Sequence, residues 1–141
     1  MRRFKGFADA EGKFFKALAR NQKREWFLAH KEEFEKGWNQ PMKDLLADLR
    51  EAIDSSFAHC DLDEPKVFRI FRDVRFSKDK SPYKTHVAGV IPTKRSAKVT
   101  ETPAAVYMHF GTGNVIASGL YTMDAPVLAR YRTAVADEAR G

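Results

Sequence analysis

The chain has 141 residues, of which 43% are hydrophobic and 31% charged, with a formal net charge of +6 and one cysteine, Cys60. That length suits a single domain with one core, and one cysteine excludes an intramolecular disulfide and fits a reducing, cytoplasmic setting. No run of about 18 apolar residues occurs, so no membrane span is expected, and the basic start MRRFKGFADAEGKFF lacks the long apolar segment of a signal peptide.

The first part of the chain reads as helical. Asp9 can cap a helix through Phe14, Phe15 and Leu18 that ends near Asn21. Trp26, Phe27, His30 and Phe34 recur at helical spacing along a second helix, from about Lys23 to Lys36, and His30 reads as a packed residue with one hydrogen bond. Gly37 and Asn39-Gln40-Pro41 interrupt it. Asn39 can cap a third helix, with Pro41 in the first turn, where its missing N–H costs nothing. Met42, Leu45, Leu46, Leu49, Ile53 and Phe57 form the apolar stripe of that helix.

After Asp61-Leu62-Asp63-Glu64-Pro65 the period changes to two. Lys66 to Ser77 and Lys84 to Ile91 read as strands, Lys94 to Thr102 as a polar loop, and Ala104 to Phe110 and Val115 to Thr122 as strands joined by a Gly-Thr-Gly-Asn turn. Asp124 caps a last helix carrying Val127, Leu128, Tyr131 and Val135. Helices followed by consecutive strands predict an α+β fold in one domain, residues 1–141. Its N-terminal helices would pack on a mainly antiparallel sheet, with a C-terminal helix.

The positive charge is concentrated. From Lys66 to Lys98 there are ten lysines and arginines against two aspartates, a balance of +8; the other residues balance at −2. Such a field attracts phosphates, nucleic acid or acidic metabolites, although a solvated basic face has the same composition. Alternation along the first strand puts Phe68, Ile70, Val74 and Phe76 toward the core together with Arg72. That guanidinium then needs a carboxylate or several carbonyls, because an unpaired buried charge is costly. Arg69, Phe71, Asp73 and Arg75 fall on the other face, where Asp73 can hold one arginine and leave the other for a ligand.

The loop Ser77-Lys78-Asp79-Lys80-Ser81-Pro82 then adds Lys78 and Lys80, with Tyr83 and Lys84 after it. Asp79 or Ser81 can tie the turn to backbone N–H groups, and Pro82 stiffens it. Arginine contacts phosphate in a planar, two-pronged way, and lysine supplies point charge. The loop lacks the glycine spacing of a nucleotide-cradling loop. Structural ion-pair networks use the same residue types, so the pattern leaves a purely structural role open.

Two further candidates stand out. His59, Cys60, Asp61 and Asp63 offer ligand atoms, but adjacent ligands do not readily reach one ion and no second pair lies at a zinc-site spacing, so no metal is expected. His109 shares a strand face with Tyr107, opposite Val106, Met108 and Phe110, and becomes a general acid or base if that face meets the arginines. The tryptophans sit at helical spacing and read as core. Phe71, among basic residues, better fits the aromatic of a single-strand binder.

Arg69-Ile70-Phe71-Arg72-Asp73-Val74-Arg75-Phe76-Ser77-Lys78-Asp79-Lys80-Ser81-Pro82-Tyr83-Lys84-Thr85 resembles the signature of an uncharacterised, mainly bacterial family, domain of unknown function 2461. Phe4-Lys5-Gly6-Phe7, Asn21, Arg24-Glu25-Trp26-Phe27 with Lys31, and Tyr107-Met108-His109-Phe110 match it in order. Gln22 and His86 stand where that family usually or often has asparagine, and Ala117-Ser118-Gly119 replaces a more glycine-rich step. The family usually continues beyond a helix such as Ala125–Arg140, so a shortened C-terminus is expected. The resemblance implies a fold and a motif, with no activity or cofactor attached.

The residues therefore predict a protein that binds a phosphorylated or otherwise anionic small molecule, with hydrolase or transferase chemistry as one version. The expected contacts are Arg69, Arg75, Lys78, Lys80, Tyr83 (as a hydrogen-bond donor) and Lys84. Arg72, Asp73 and Asp79 would organise the site, and His109 would carry a proton. No cofactor is implied. The alternatives are a nucleic-acid-binding module and an interaction protein whose charges form an internal network.

Overall fold

A computed structural model describes residues 2–94 and 104–139. Asp9 starts the helical part from further upstream than an ordinary cap. Its backbone carbonyl accepts the Gly12 N–H at 3.1 Å, and its carboxylate accepts the Phe14 N–H at 2.8 Å, in the first turn of α1 (Lys13–Arg20). Gly12 has φ 65°, a left-handed value that glycine adopts without a steric penalty. α1 buries Phe14, Phe15 and Leu18.

The second and third expected helices form one winding run: α2 (Arg24–Ala29), α3 (Lys31–Phe34), a π-helical turn (Glu35–Asn39) and α4 (Gln40–Ile53). Asn39 does not cap α4; its amide donates to Glu35 Oε2 at 2.6 Å. Pro41 explains the π turn. It has no N–H and its ring crowds the carbonyl four residues back. The preceding N–H, of Gln40, reaches back five residues to the Glu35 carbonyl, so the helix widens rather than breaks. His30 stacks on Trp26 with ring centres 3.9 Å apart, and its Nδ1 lies 2.7 Å from the Trp26 carbonyl oxygen.

The sheet contains β1 (Lys66–Val67), β2 (His86–Pro92), β3 (Ala104–Gly111) and β4 (Val115–Gly119), ordered β1-β2-β3-β4 with every neighbour antiparallel. This is the α+β fold with a C-terminal helix that the element order predicts. One face of the sheet is covered. Val87, Ile91 and Met108 pack with Phe15, Met42 and Leu46 in a continuous core. Gly89 completes that contact, since a Cβ there would lie 2.5 Å from Leu46 Cδ1. Phe7 closes one end by stacking on Trp38 at 4.9 Å. The N-terminal segment is tied down where Asp48 accepts the backbone N–H groups of Arg3 and Phe4, each at 2.8 Å.

Two further expectations change, and a third falls outside the described residues. Lys66 to Ser77 is not one strand: ladder pairing covers Lys66 and Val67, Phe68 adds an N–H bond to the Ala88 carbonyl, and the chain bends at Ile70. Beyond the bend it pairs with 82–84 instead, through Arg72 N–H to Pro82 O and Lys84 N–H to Ile70 O. Residues 69–84 thus form an irregular hairpin beyond the sheet, because Pro82 has no N–H to continue a ladder. The bend also separates the faces: Ile70 joins the core, but Phe68 lies on the uncovered side of the sheet, and Phe76 is 94% exposed. Second, the apolar side of α5 (Ala125–Ala136) finds little to bury against; none of its residues is fully buried, though Asp124 caps it as expected through the Val127 N–H. Third, the polar loop expected from Lys94 to Thr102 lies, after Lys94, outside the described residues.

Gly111 ends β3 opposite His86. A Cβ at Gly111 would sit 2.3 Å from the Thr85 carbonyl oxygen and 2.6 Å from His86 Cα, both backbone atoms that cannot rotate away. Gly111→Ala should therefore destabilise the protein by about 1–3 kcal/mol in urea denaturation. Gly113→Ala, where a Cβ meets nothing within 4 Å, should change stability little.

Candidate functional site

The register of the sheet decides what shares its uncovered face. Ala88 pairs with His109 and Val90 with Tyr107 across β2 and β3, while Tyr107 and His109 pair with Ala117 and Val115 on β4. Directly opposed residues point the same way, so His86, Ala88, Val90, Tyr107, His109, Val115 and Ala117 line one surface. Phe68 lies against it, 6.4 Å from the Tyr107 ring. A cavity of about 660 Å³ opens there over Phe68, Tyr107, His109, Leu120 and Tyr121.

Four cationic or protonatable groups gather at this surface. The His86 and His109 rings stack with centres 4.6 Å apart. Lys84 Nζ donates to the Arg69 carbonyl at 2.8 Å and lies 5.7 Å from the centre of the Phe68 ring. Burial pushes the Lys84 ammonium below its usual range, and the Arg69 charge adds to that. Burial likewise lowers the His86 pKa, with His109 and Lys84 lowering it further. Tyr107 OH lies 3.1 Å from His109 Nδ1, and its own pKa is raised by burial and by nearby Tyr121. None of Arg69, Lys84, His86 and His109 forms an ion pair with a carboxylate among the described residues.

The remaining residues expected at the site go elsewhere in the hairpin. Arg75 grips Asp73 with two parallel bonds, Nε to Oδ1 at 3.0 Å and Nη2 to Oδ2 at 2.7 Å. Arg72 donates to Asp79 at 2.7 Å and to the Ser81 carbonyl at 3.1 Å, the carboxylate and carbonyl that its half-buried position requires. Asp79 also accepts the Ser81 N–H and hydroxyl. Lys80 Nζ donates to the Val74 carbonyl at 2.8 Å. Lys78 is exposed, with no bonded partner among the described residues. Tyr83 is buried, its ring stacked on Phe27 at 4.6 Å, and its N–H donates to Gln22 Oε1. Its backbone thus joins the hairpin to the segment after α1.

The geometry brings together Arg69, Lys84 and His109, and separately the tip residues Arg72, Asp73, Arg75, Asp79 and Lys80. His86, Tyr107 and Phe68 belong with the first group and were not picked out as site residues from the sequence. The signal for His86 was its place two residues after Lys84 in a period-two strand. For Phe68 no signal existed, because the bend at Ile70 reverses its parity with the core residues. Among the described residues no three His, Cys, Asp or Glu side chains assemble as a metal site, His59, Cys60, Asp61 and Asp63 included. No helix among them is long and apolar enough to cross a membrane.

A domain profile described as conserved hypothetical protein DUF2461 matches residues 11–141, and the chain belongs to that family. No curated protein and no solved structure matches it.

The two tip pairs have a defined response to acid. Asp73 is held down to about 2 by the Arg75 hydrogen bonds, and Asp79 to about 2 by Ser81 first and Arg72 next. A depressed carboxylate contributes order that is present above its ordinary value and lost as pH falls through the depressed one. The pairs should therefore survive at pH 4 and break between about pH 4 and pH 2. Carboxyl carbon shifts of Asp73 and Asp79 in an NMR titration should show midpoints well below the ordinary aspartate value.

Proposed function

We propose that the protein binds an anionic small molecule on the uncovered face of the sheet. A phosphate or comparable group would sit at Arg69, Lys84, His86 and His109, and an apolar or aromatic body would lie over Phe68, Tyr107 and Tyr121. The observation that carries this reading is the gathering of four cationic or protonatable groups, none of them ion-paired with a carboxylate among the described residues. Like charges brought together raise each other's free energy, and an anion placed among them relieves it. A largely apolar cavity with a few convergent polar groups suits a small ligand.

In this reading Arg75 and Lys80 have a different part from direct contact. Their donors are used to hold the hairpin tip, which leaves Arg69 and Lys84 as the principal cations. Binding is the function proposed. If the ligand is a phosphate ester that is cleaved or transferred, His109 is the group to carry the proton, since Tyr107 OH restrains its Nδ1.

The test is a thermal-shift screen with phosphorylated metabolites, aryl phosphates and aryl sulfates. A true ligand at about 100-fold excess over its Kd should raise Tm by several degrees. Lys84→Ala and His109→Ala should each weaken binding about tenfold or more while the protein remains folded, because a charge-assisted contact contributes on the order of 1.5–3 kcal/mol. An anion favours protonated His86, whose pKa lies below 6.5 in the free protein. Affinity for an aryl sulfate, whose own charge is constant, should therefore rise as pH falls below 6.5, and the bound form should show a higher His86 pKa by NMR. No shift with any anion, or binding that is indifferent to both substitutions, would sink the reading.

A further inference from the structure

The hairpin tip presents a second surface, and none of its residues lines the cavity described above. Phe76 is 94% exposed at the apex, and Phe71 is 54% exposed on the arm behind it. A single exposed apolar ring is ordinary on a protein surface; what distinguishes this one is the basic segment that carries it. Cations flank both rings. Residues 69–84 carry three arginines and three lysines against two aspartates, a balance of +4. The Arg75 guanidinium lies 5.7 Å from the centre of the Phe76 ring.

The tip is nevertheless firmly built. Arg72 on Asp79 and Lys80 on the Val74 carbonyl cross it, while Arg75 on Asp73 and Ser81 on Asp79 brace each arm. A surface already ordered in its free form loses little conformational entropy on binding. Asp73 and Asp79 are exposed but each is paired with an arginine, so the exposed lysines Lys78 and Lys80 carry the uncompensated positive charge of the tip. Exposed aromatic faces alternating with cations repeat the alternation of base and phosphate along an unpaired strand. A duplex keeps its base faces stacked and hidden, and a lipid surface would call for more apolar side chains than a single apical ring. We propose that the hairpin tip is a docking surface for single-stranded nucleic acid, with Phe76 and Phe71 stacking on bases and Lys78, with the donors of Lys80 that Val74 leaves over, meeting phosphates.

The test is fluorescence anisotropy of the full chain with labelled oligodeoxythymidylate and oligouridylate of about 20 nucleotides, at low and near-physiological salt. Binding should be measurable at low salt and fall steeply as salt rises. Phe76→Ala should weaken it by about tenfold, because stacking on one base contributes on that order. The melting temperature should not change, since the ring touches solvent. Lys78→Ala should lower the slope of log affinity against log salt by about 0.7, the value for one phosphate contact on a single strand. No binding to either oligomer at low salt would overturn the proposal. So would binding that Phe76→Ala leaves intact but His109→Ala abolishes, which would move the strand to the sheet face. So would co-sedimentation with phosphatidylserine vesicles in place of oligomer binding. A small-ligand thermal shift lost in Lys84→Ala and His109→Ala but kept in Phe76→Ala tests the sheet face by itself, so failure of one reading is distinguishable from failure of the other.

Discussion

Helix α4 lies against one face of a four-stranded antiparallel sheet, and Met42 and Leu46 fill the space left by Gly89 and bordered by Ile91 and Met108. That contact is made by apolar side chains and is closed on Trp38 by Phe7, which stacks on it, and Phe15, which meets it at a tilt. The large core side chains therefore gather on one side of the sheet, although Ala88 and Val90 are also buried on the other. The other side keeps its tyrosine, its two histidines and a cavity. An antiparallel sheet tolerates this asymmetry, because period-two alternation lets one face be apolar while the other meets solvent. The small-ligand proposal depends on that asymmetry.

The charged signature divides in the folded protein into two physical roles. Arg72 and Arg75 are consumed by Asp79 and Asp73, and together with Ser81 and the Lys80 bond they hold a hairpin that has almost no ladder of its own. Arg69 and Lys84 stand apart from these pairs, joined by the Lys84 bond to the Arg69 carbonyl. Exposed ion pairs individually contribute little to stability. Their value here is geometric: several short bonds across one tip select one conformation of a segment that the sheet does not hold.

The open edge has a comparable logic. β4 is exposed along its whole length, Ile116 is 69% and Tyr121 91% exposed, and α5 buries no residue fully. Apolar side chains left in water on an edge strand make it receptive to whatever can cover it. Within the described residues, the hydrophobic content of the last part of the chain is not matched by an interior to receive it.

Much of the fold could be read directly. The burial of Phe14, Phe15 and Leu18, the stripe containing Met42 and Leu46, the Gly-Thr-Gly-Asn turn and the Asp124 cap follow from spacing and local chemistry, which act over a few residues. The carboxylate needed by Arg72 was also legible, because charge burial demands one wherever the chain finds it. The continuous path through Pro41 was not legible, since a π turn and a helix break look alike in composition and only the packing of both flanking segments on one core favours the turn. The bend at Ile70 was not legible either. It depends on which strand β2 takes as neighbour, and it moves Phe68 to the face of His86 and His109 while Ile70 stays in the core. Sequence thus determined the elements, their order and the concentration of charge. Tertiary structure decided which cations are paired and which are free, because partner choice among closely spaced aspartates and arginines is set by distances that alternation along a strand does not contain.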